Sequence, residues 1–211
     1  IVADVFGDSR IVALSTGNVY PFADVAGGGA TEATLPDPMG EYAQSCLGRE
    51  RMFEYFSGRN GTMGRIIRLN YAIDTRYGVL WDVAVKVLSG EAIDVTTGYA
   101  NVIWQGDANG RILRSLRHCT APTSPLNVSG GGAVAIRALA RAFGERLGRK
   151  VEIAGKESEA CWLVNTEQCA RLFGPPRVPL EKMIDWVADW VARGLPSLDK
   201  PTAYDSRDGS F

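Results

Sequence analysis

Two short apolar runs constrain this chain more than anything else in it. IVALS (11–15) and GRIIRLNYA (64–72) each carry β-branched residues and each ends in polar ones: Ser15-Thr16-Gly17-Asn18 for the first, Asn70-Tyr71 for the second. Such runs read as buried strands closed by turn chemistry. Between them a helical pattern covers about 41–57, with Leu47, Met52, Phe53 and Phe56 expected toward a core and a stop at Ser57-Gly58. Strands alternating with helices indicate an α/β fold with a mainly parallel sheet. In such a sheet the ends of the two runs would lie side by side over the helix opened by Tyr42. Open α/β sheets hold their chemistry in the crevice beyond the carboxyl ends of the strands.

The rest of the chain continues the alternation. Residues 21–40, with Gly27-Gly28-Gly29 and several prolines, read as a mobile loop. A helix is expected over 79–89, closed by Gly90, then short strands at 91–97 and 101–105. Asp107 stands where an N-cap belongs, ahead of a helix carrying Ile112, Leu113 and Leu116. Residues 125–148 read as strand, glycine turn and helix, with Ile136, Leu139, Ala140, Phe143 and Leu147 at helical spacing before Gly148. A strand at 149–155 and a short helix capped by Asn165 precede the last helix, 180–193. Its stripe is Leu180, Met183, Ile184, Val187, Trp190 and Val191. The polar tail, 197–211, is expected to lie over the surface or fray.

Several functional classes drop out on chemistry. With net charge −1 in 211 residues there is no basic footprint for nucleic acid or an anionic membrane. No apolar run approaches the roughly 20 residues of a membrane helix, and no signal segment opens the chain, so the expected location is cytoplasmic. Cys46, Cys119, Cys161 and Cys169 form no CxxC pair and share the chain with one histidine, His118, which argues for buried reduced thiols and no metal site. Neither Gly27-Gly28-Gly29 nor Gly130-Gly131-Gly132 has the GxGxxG spacing of a dinucleotide turn.

LSTGNVY (14–20), Tyr42 with a serine three residues on (YAQS), IIRLNYA (66–72), VIWQGDAN (102–109) and the strand–turn–helix from 125 follow one another in an order that resembles the extended short-chain dehydrogenase/reductase family. This is the NAD(P)-dependent epimerase/dehydratase group, which acts largely on nucleotide sugars. The likeness runs from about residue 10 to about 195. It implies the C-terminal part of a Rossmann-like, doubly wound parallel sheet plus a smaller α/β substrate-binding domain. Residues 1–78 would complete the NAD(P)-binding domain and 79–211 would be mainly substrate-binding, with the strand at 101–105 a candidate to return to the main sheet.

The resemblance also implies a site. Thr16 matches the hydroxyl that shares a proton with substrate, and Tyr42 matches the general base. Ser15, Tyr42 and Tyr71 would touch NAD or NADP, and Thr16, Gly17, Asn18 and Asn70 would touch a sugar or nucleotide-sugar substrate. A homodimer through the Tyr42 helix would follow the family. A phenol, with ordinary pKa near 10, needs a nearby cation to act as a base at neutral pH. The family supplies a lysine four residues after the tyrosine, and here that position is Cys46. Arg49 lies seven residues on, about 10 Å up the helix and on nearly the same face, where its long side chain is a candidate for partial compensation and a solvated face is its simplest placement. The expectation is therefore an epimerase, dehydratase or reductase with a degenerate Tyr-xxx-Lys site, and the alternative is a non-catalytic relative that binds cofactor or metabolite. The family's glycine-rich cofactor turn lies upstream of its Ser/Thr strand, so a chain starting at Ile1 reads as the later part of a longer one, with the cofactor bound mainly elsewhere.

Overall fold

The computed structural model describes residues 2–200 and 202–209. Ile1, on which the expectation of a longer chain turns, and Pro201, Ser210 and Phe211 of the tail lie outside the described residues. In chain order the elements begin α1 Val2–Val5, β1 Ile11–Thr16, β2 Ala23–Asp24, α2 Gly40–Asn60, β3 Gly64–Leu69, β4 Ala72–Ile73 and α3 Val79–Ser89. Next come β5 Ile93–Asp94, β6 Tyr99–Ala100, β7 Ile103–Trp104, α4 Gln105–Ser115, β8 Ser124–Val128 and β9 Val134–Ala135. The chain closes with α5 Ile136–Leu147, β10 Ile153–Ala154, β11 Ala160–Cys161, α6 Glu167–Phe173 and α7 Leu180–Ala192.

The fold is α/β, organised on a three-stranded parallel sheet of order β1-β3-β8. Thr16 pairs with Leu69, and Leu69 with Val128, so all three carboxyl ends finish at one edge. Side chains alternate across a strand. Arg68 of β3 meets Glu50 of α2 on one face, whereas Ile67 packs with Ala108 of α4 and Cys169 of α6 on the other. Both faces are therefore covered, and β3 is buried almost throughout, its two arginines included. Beyond the sheet, α3, α5 and α7 pack together around Leu80, Val83, Ile136, Phe143, Ile184 and Val187, the largest core of the molecule.

The periodic helices agree with their sequence pattern, and the polar-faced ones do not. In α2 the buried side is Ala43, Cys46, Glu50 and Ser57, while Met52 is 53% exposed. The helix runs past Ser57 because that hydroxyl is needed inside: it donates to Thr62 O at 2.6 Å and accepts from Thr123 N at 2.7 Å. Its stop is Gly61, in the left-handed conformation. In α4 the buried residues are Ala108, Arg111 and Ser115, and Leu113 is 68% exposed. Asp107 sits inside the first turn of α4 and accepts instead from the backbone of Arg177 and Val178, each at 2.9 Å. Asn165 accepts from Glu167 N at 3.0 Å, two residues before α6 begins, and Thr166 holds the cap position itself.

Three other segments are more firmly held than their composition suggests. The 21–40 loop is pinned by β2, which pairs with β11, and by a bridge between Ala30 and Val164. Gly29 permits this approach, since a Cβ there would collide with the backbone of Leu163 and Val164. The strand expected at 101–105 is Ile103–Trp104, and it pairs with β4 in a separate two-stranded sheet rather than in the main one. The tail is not frayed over 202–209. Tyr204 is buried, Asp205 pairs with Lys86 at 3.0 Å, Thr202 hydrogen-bonds Asp82, and Gly209 packs on Gly40.

Phe143→Ala should cost about 3–5 kcal/mol in urea denaturation, the usual price of emptying an aromatic site in a closed core, whereas Leu113→Ala should change stability by less than about 0.5 kcal/mol. Tyr204 gives a second test. Its hydroxyl is buried with no hydrogen-bond partner among the described residues, and burial pushes its phenol up from the ordinary value. The raised folded value means its contribution is fully present below about pH 10, the unfolded value, and is lost as pH rises through the folded one. Tyr204→Phe should therefore be neutral or stabilising at pH 7, and should lessen the loss of stability above pH 10 in the same denaturation experiment.

Candidate active site

β1 ends in a hydroxyl that is doubly used. Thr16 Oγ1 accepts from Asn18 N at 3.2 Å, opening a short 3₁₀ turn at Gly17–Val19, and lies 3.2 Å from Asn18 Oδ1. The turn lifts the chain away from the sheet edge and leaves a cavity of about 410 Å³ over the carboxyl ends of β1 and β3. Its walls include Ser15, Thr16, Asn18, Tyr42, Asn70 and Tyr71. Six of the positions expected at the site are thus gathered around one space. Gly17 stands behind the wall, where a Cβ would press on Val164 and Asn70, and Cys46 is buried among Val19, Tyr20, Ala30 and Val164.

Tyr42 occupies the first turn of α2, half-exposed at the mouth of the cavity, and hydrogen-bonds Thr16. Burial of the ring pushes its phenol above the ordinary value, and Cys46 beside it adds to that rise; the Thr16 hydrogen bond and the Arg49 charge oppose it. At neutral pH the phenol therefore holds its proton. Asn70 is buried, with Nδ2 donating to Trp162 O at 3.1 Å and to Asn101 Oδ1 at 3.4 Å. Tyr71 turns the chain between β3 and β4 at a φ of 37°, and desolvation raises its phenol strongly.

Beneath these residues lies a buried ion pair. Glu50, two turns after Tyr42 on α2, receives Arg68 through Nε–Oε1 at 3.1 Å and Nη2–Oε2 at 2.6 Å. Ser15 donates to the same carboxylate at 2.5 Å, and the Arg68 guanidinium stacks 4.7 Å from the centre of the Tyr20 ring. The Ser15 hydroxyl is therefore committed to Glu50, although its residue borders the cavity. Tyr20 in turn donates to Asn127 at 2.9 Å, and Asn127 ties down Ala30 and Asn165 through their carbonyls.

Sequence reasoning missed Glu50 and Arg68. Glu50 could have been found from its spacing, since 42, 46 and 50 fall on one helical face. It also missed Tyr77 and Gly78, and Thr202 and Ala203 of the tail, which close the far side of the cavity. Nothing local marks these, because they arrive through tertiary packing. Among the described residues no group of three or more His, Cys, Asp or Glu is placed to hold a metal ion, and no helix is long and apolar enough to cross a membrane.

No protein-family model matches the chain, and no curated protein matches it. Solved structures do share its fold. The UDP-glucose 4-epimerase of Thermus thermophilus, in complex with NAD, is 19% identical with a TM-score of 0.75, over 91% of this chain and 66% of its own. The dTDP-glucose 4,6-dehydratase of Bacillus anthracis, in complex with NAD, is 14% identical with a TM-score of 0.76, over 91% of this chain and 64% of its own. The UDP-glucuronic acid 4-epimerase of Bacillus cereus, in complex with NAD, is also 14% identical with a TM-score of 0.76, over 92% and 67%. The chain thus has the Rossmann-like architecture of these proteins and spans about two thirds of their length.

Removing the acid from the buried pair tests its structural role. Glu50→Gln leaves Arg68 as an uncompensated buried charge and should cost about 3–5 kcal/mol in chemical denaturation.

Proposed function

We propose that this chain belongs to an NAD- or NADP-dependent enzyme that acts at a carbinol carbon of a sugar or nucleotide sugar, by epimerisation, dehydration or reduction. The observation that carries the reading is the placement of Thr16 and Tyr42 together on the wall of a cavity at the carboxyl edge of a parallel sheet. That edge is where this class of sheet holds ligands. The likeness in fold to NAD-bound sugar-nucleotide epimerases and a dehydratase supports it.

When bound, an oxidised nicotinamide would accept hydride from the carbinol carbon. Thr16 would hold the substrate oxygen by hydrogen bond, and Tyr42, as phenolate, would take its proton at the phenol oxygen. The hydroxyl thus loses a proton and the carbon a hydride, which leaves a carbonyl. The reverse direction begins with the protonated phenol. Asn70 and Asn18 would contact the sugar. The hydroxyls of Thr16 and Tyr42 and the ring of Tyr71 suit a nicotinamide riboside, and neither glycine run has the spacing of a pyrophosphate turn. We therefore assign this chain the nicotinamide end of the cofactor alone.

Within this reading residues 1–78 serve the cofactor side and 79–211 mainly the substrate side. A homodimer would use the outer side of α2, where Met52 and Tyr55 are exposed.

Tyr42→Phe in the full chain should lower NAD-dependent turnover of UDP-glucose by about a hundred- to ten-thousand-fold, the usual contribution of a positioned acid–base group, with KM little changed. Equal turnover by the variant would remove the assignment. Binding of NAD and UDP-glucose in calorimetry without turnover by the unaltered protein would favour a metabolite-binding role instead.

A further inference from the structure

Cys46 deprives Tyr42 of the cation that its assigned role requires, and a neighbouring side chain reaches into the gap. Arg49 belongs to the exposed side of α2, yet its guanidinium turns back along the helix and Nη2 lies 3.4 Å from Cys46 Sγ. It takes no carboxylate partner among the described residues, unlike Arg51 on the same helix, which pairs with Glu54 at 2.7 Å. Cys46 is 2% exposed and sits one helical turn beyond Tyr42 on the same side of α2. Tyr42 in turn hydrogen-bonds Thr16. A hydroxyl, a phenol, a thiol and a guanidinium thus form one line from the cavity wall to the outer side of α2.

We propose that Arg49, acting through Cys46, is the positioning residue that supplies positive charge to the Tyr42 phenol. The inference rests on the role given to Tyr42 under the proposed function. A thiol has no charge of its own to give, but it is polarisable and accepts weakly. It can therefore hold a guanidinium at a fixed distance from the phenol without burying a charge. Arginine suits the task because it stays protonated at any working pH.

Of the other groups facing the phenol, Cys46 itself works against Arg49, raising the phenol that the guanidinium lowers, and the rest do not compete. Tyr71 and Tyr77, across the cavity, are both kept neutral by burial. Of the carboxylates on α2 near it, Glu50 is neutralised by Arg68, and Glu41 adjoins Tyr42 in the exposed first turn.

The test follows the Tyr42 ring directly. With tyrosine labelled at Cζ, the Tyr42 resonance is assigned by its loss in Tyr42→Phe and its titration midpoint is read by NMR in the full chain. Arg49→Gln should raise that midpoint by about half a pH unit, the size of one unit charge acting over a few ångströms through a water-like dielectric. Arg49→Lys should recover most of the shift. An Arg49→Gln midpoint equal to that of the unaltered protein overturns the proposal, as does a shift left unrecovered by lysine. If the protein turns over UDP-glucose, Arg49→Gln should also move the pH profile of kcat toward alkaline values while KM stays put. A midpoint shift in a protein without turnover would leave the charge coupling standing and count against the functional reading alone.

Discussion

A carboxylate and a guanidinium enclosed between α2 and β3 set the geometry on which the site depends. Desolvating both charges is expensive, and a buried pair of this kind is often no more stable than apolar residues of the same volume. What Glu50 and Arg68 contribute is position. Glu50 receives both guanidinium nitrogens and the Ser15 hydroxyl, so α2 is fixed against β1 and β3 at once. An apolar contact would tolerate sliding or rotation of the helix, whereas a two-point ionic contact does not. Tyr42 lies eight residues earlier on the same helix, about 12 Å along its axis, and is held opposite Thr16 because Glu50 is held opposite Ser15.

The same pair explains which parts of the molecule could be read in the sequence. α5 and α7 bury Ile, Leu, Val, Phe and Met against one another, so their 3.6-residue periodicity is the imprint of the core. α2 and α4 cover the sheet with Ala43, Cys46, Glu50 and Ser57 and with Ala108, Arg111 and Ser115. These are small, polar or charged residues, satisfied inside by specific partners: Arg111 donates to Ser129 O at 3.0 Å and to Gly174 O at 2.9 Å. A hydrophobic pattern cannot report a face built that way, and it promoted Met52 to a core position it does not hold. The strands were legible from their β-branched residues, although only β3 is buried along nearly its whole length; β1 buries Ala13, Ser15 and Thr16 and leaves Leu14 exposed. The tail was not, since Tyr204 is one buried aromatic in a polar stretch whose anchors, Asp82 and Lys86, lie about 120 residues upstream.

The meeting of Thr16 and Tyr42 was legible for a different reason. Thr16 ends a strand and Tyr42 begins a helix, and in a parallel sheet those two places meet at the carboxyl edge whatever lies between them. Topology guarantees the meeting; chemistry does not. Burial raises the phenol, and the environment of position 46 shows why its residue is a thiol. Cys46 is packed among Val19, Tyr20, Ala30 and Val164, where an ammonium would have to be desolvated or extended past these side chains toward the cavity. A neutral side chain of cysteine's size fills that space at no electrostatic cost. The charge is moved to Arg49, at the solvent boundary, where a cation keeps most of its hydration. In the role proposed for Tyr42, a cation at that boundary acts weakly, and the tuning of the phenol depends on how firmly the Cys46–Arg49 contact is held.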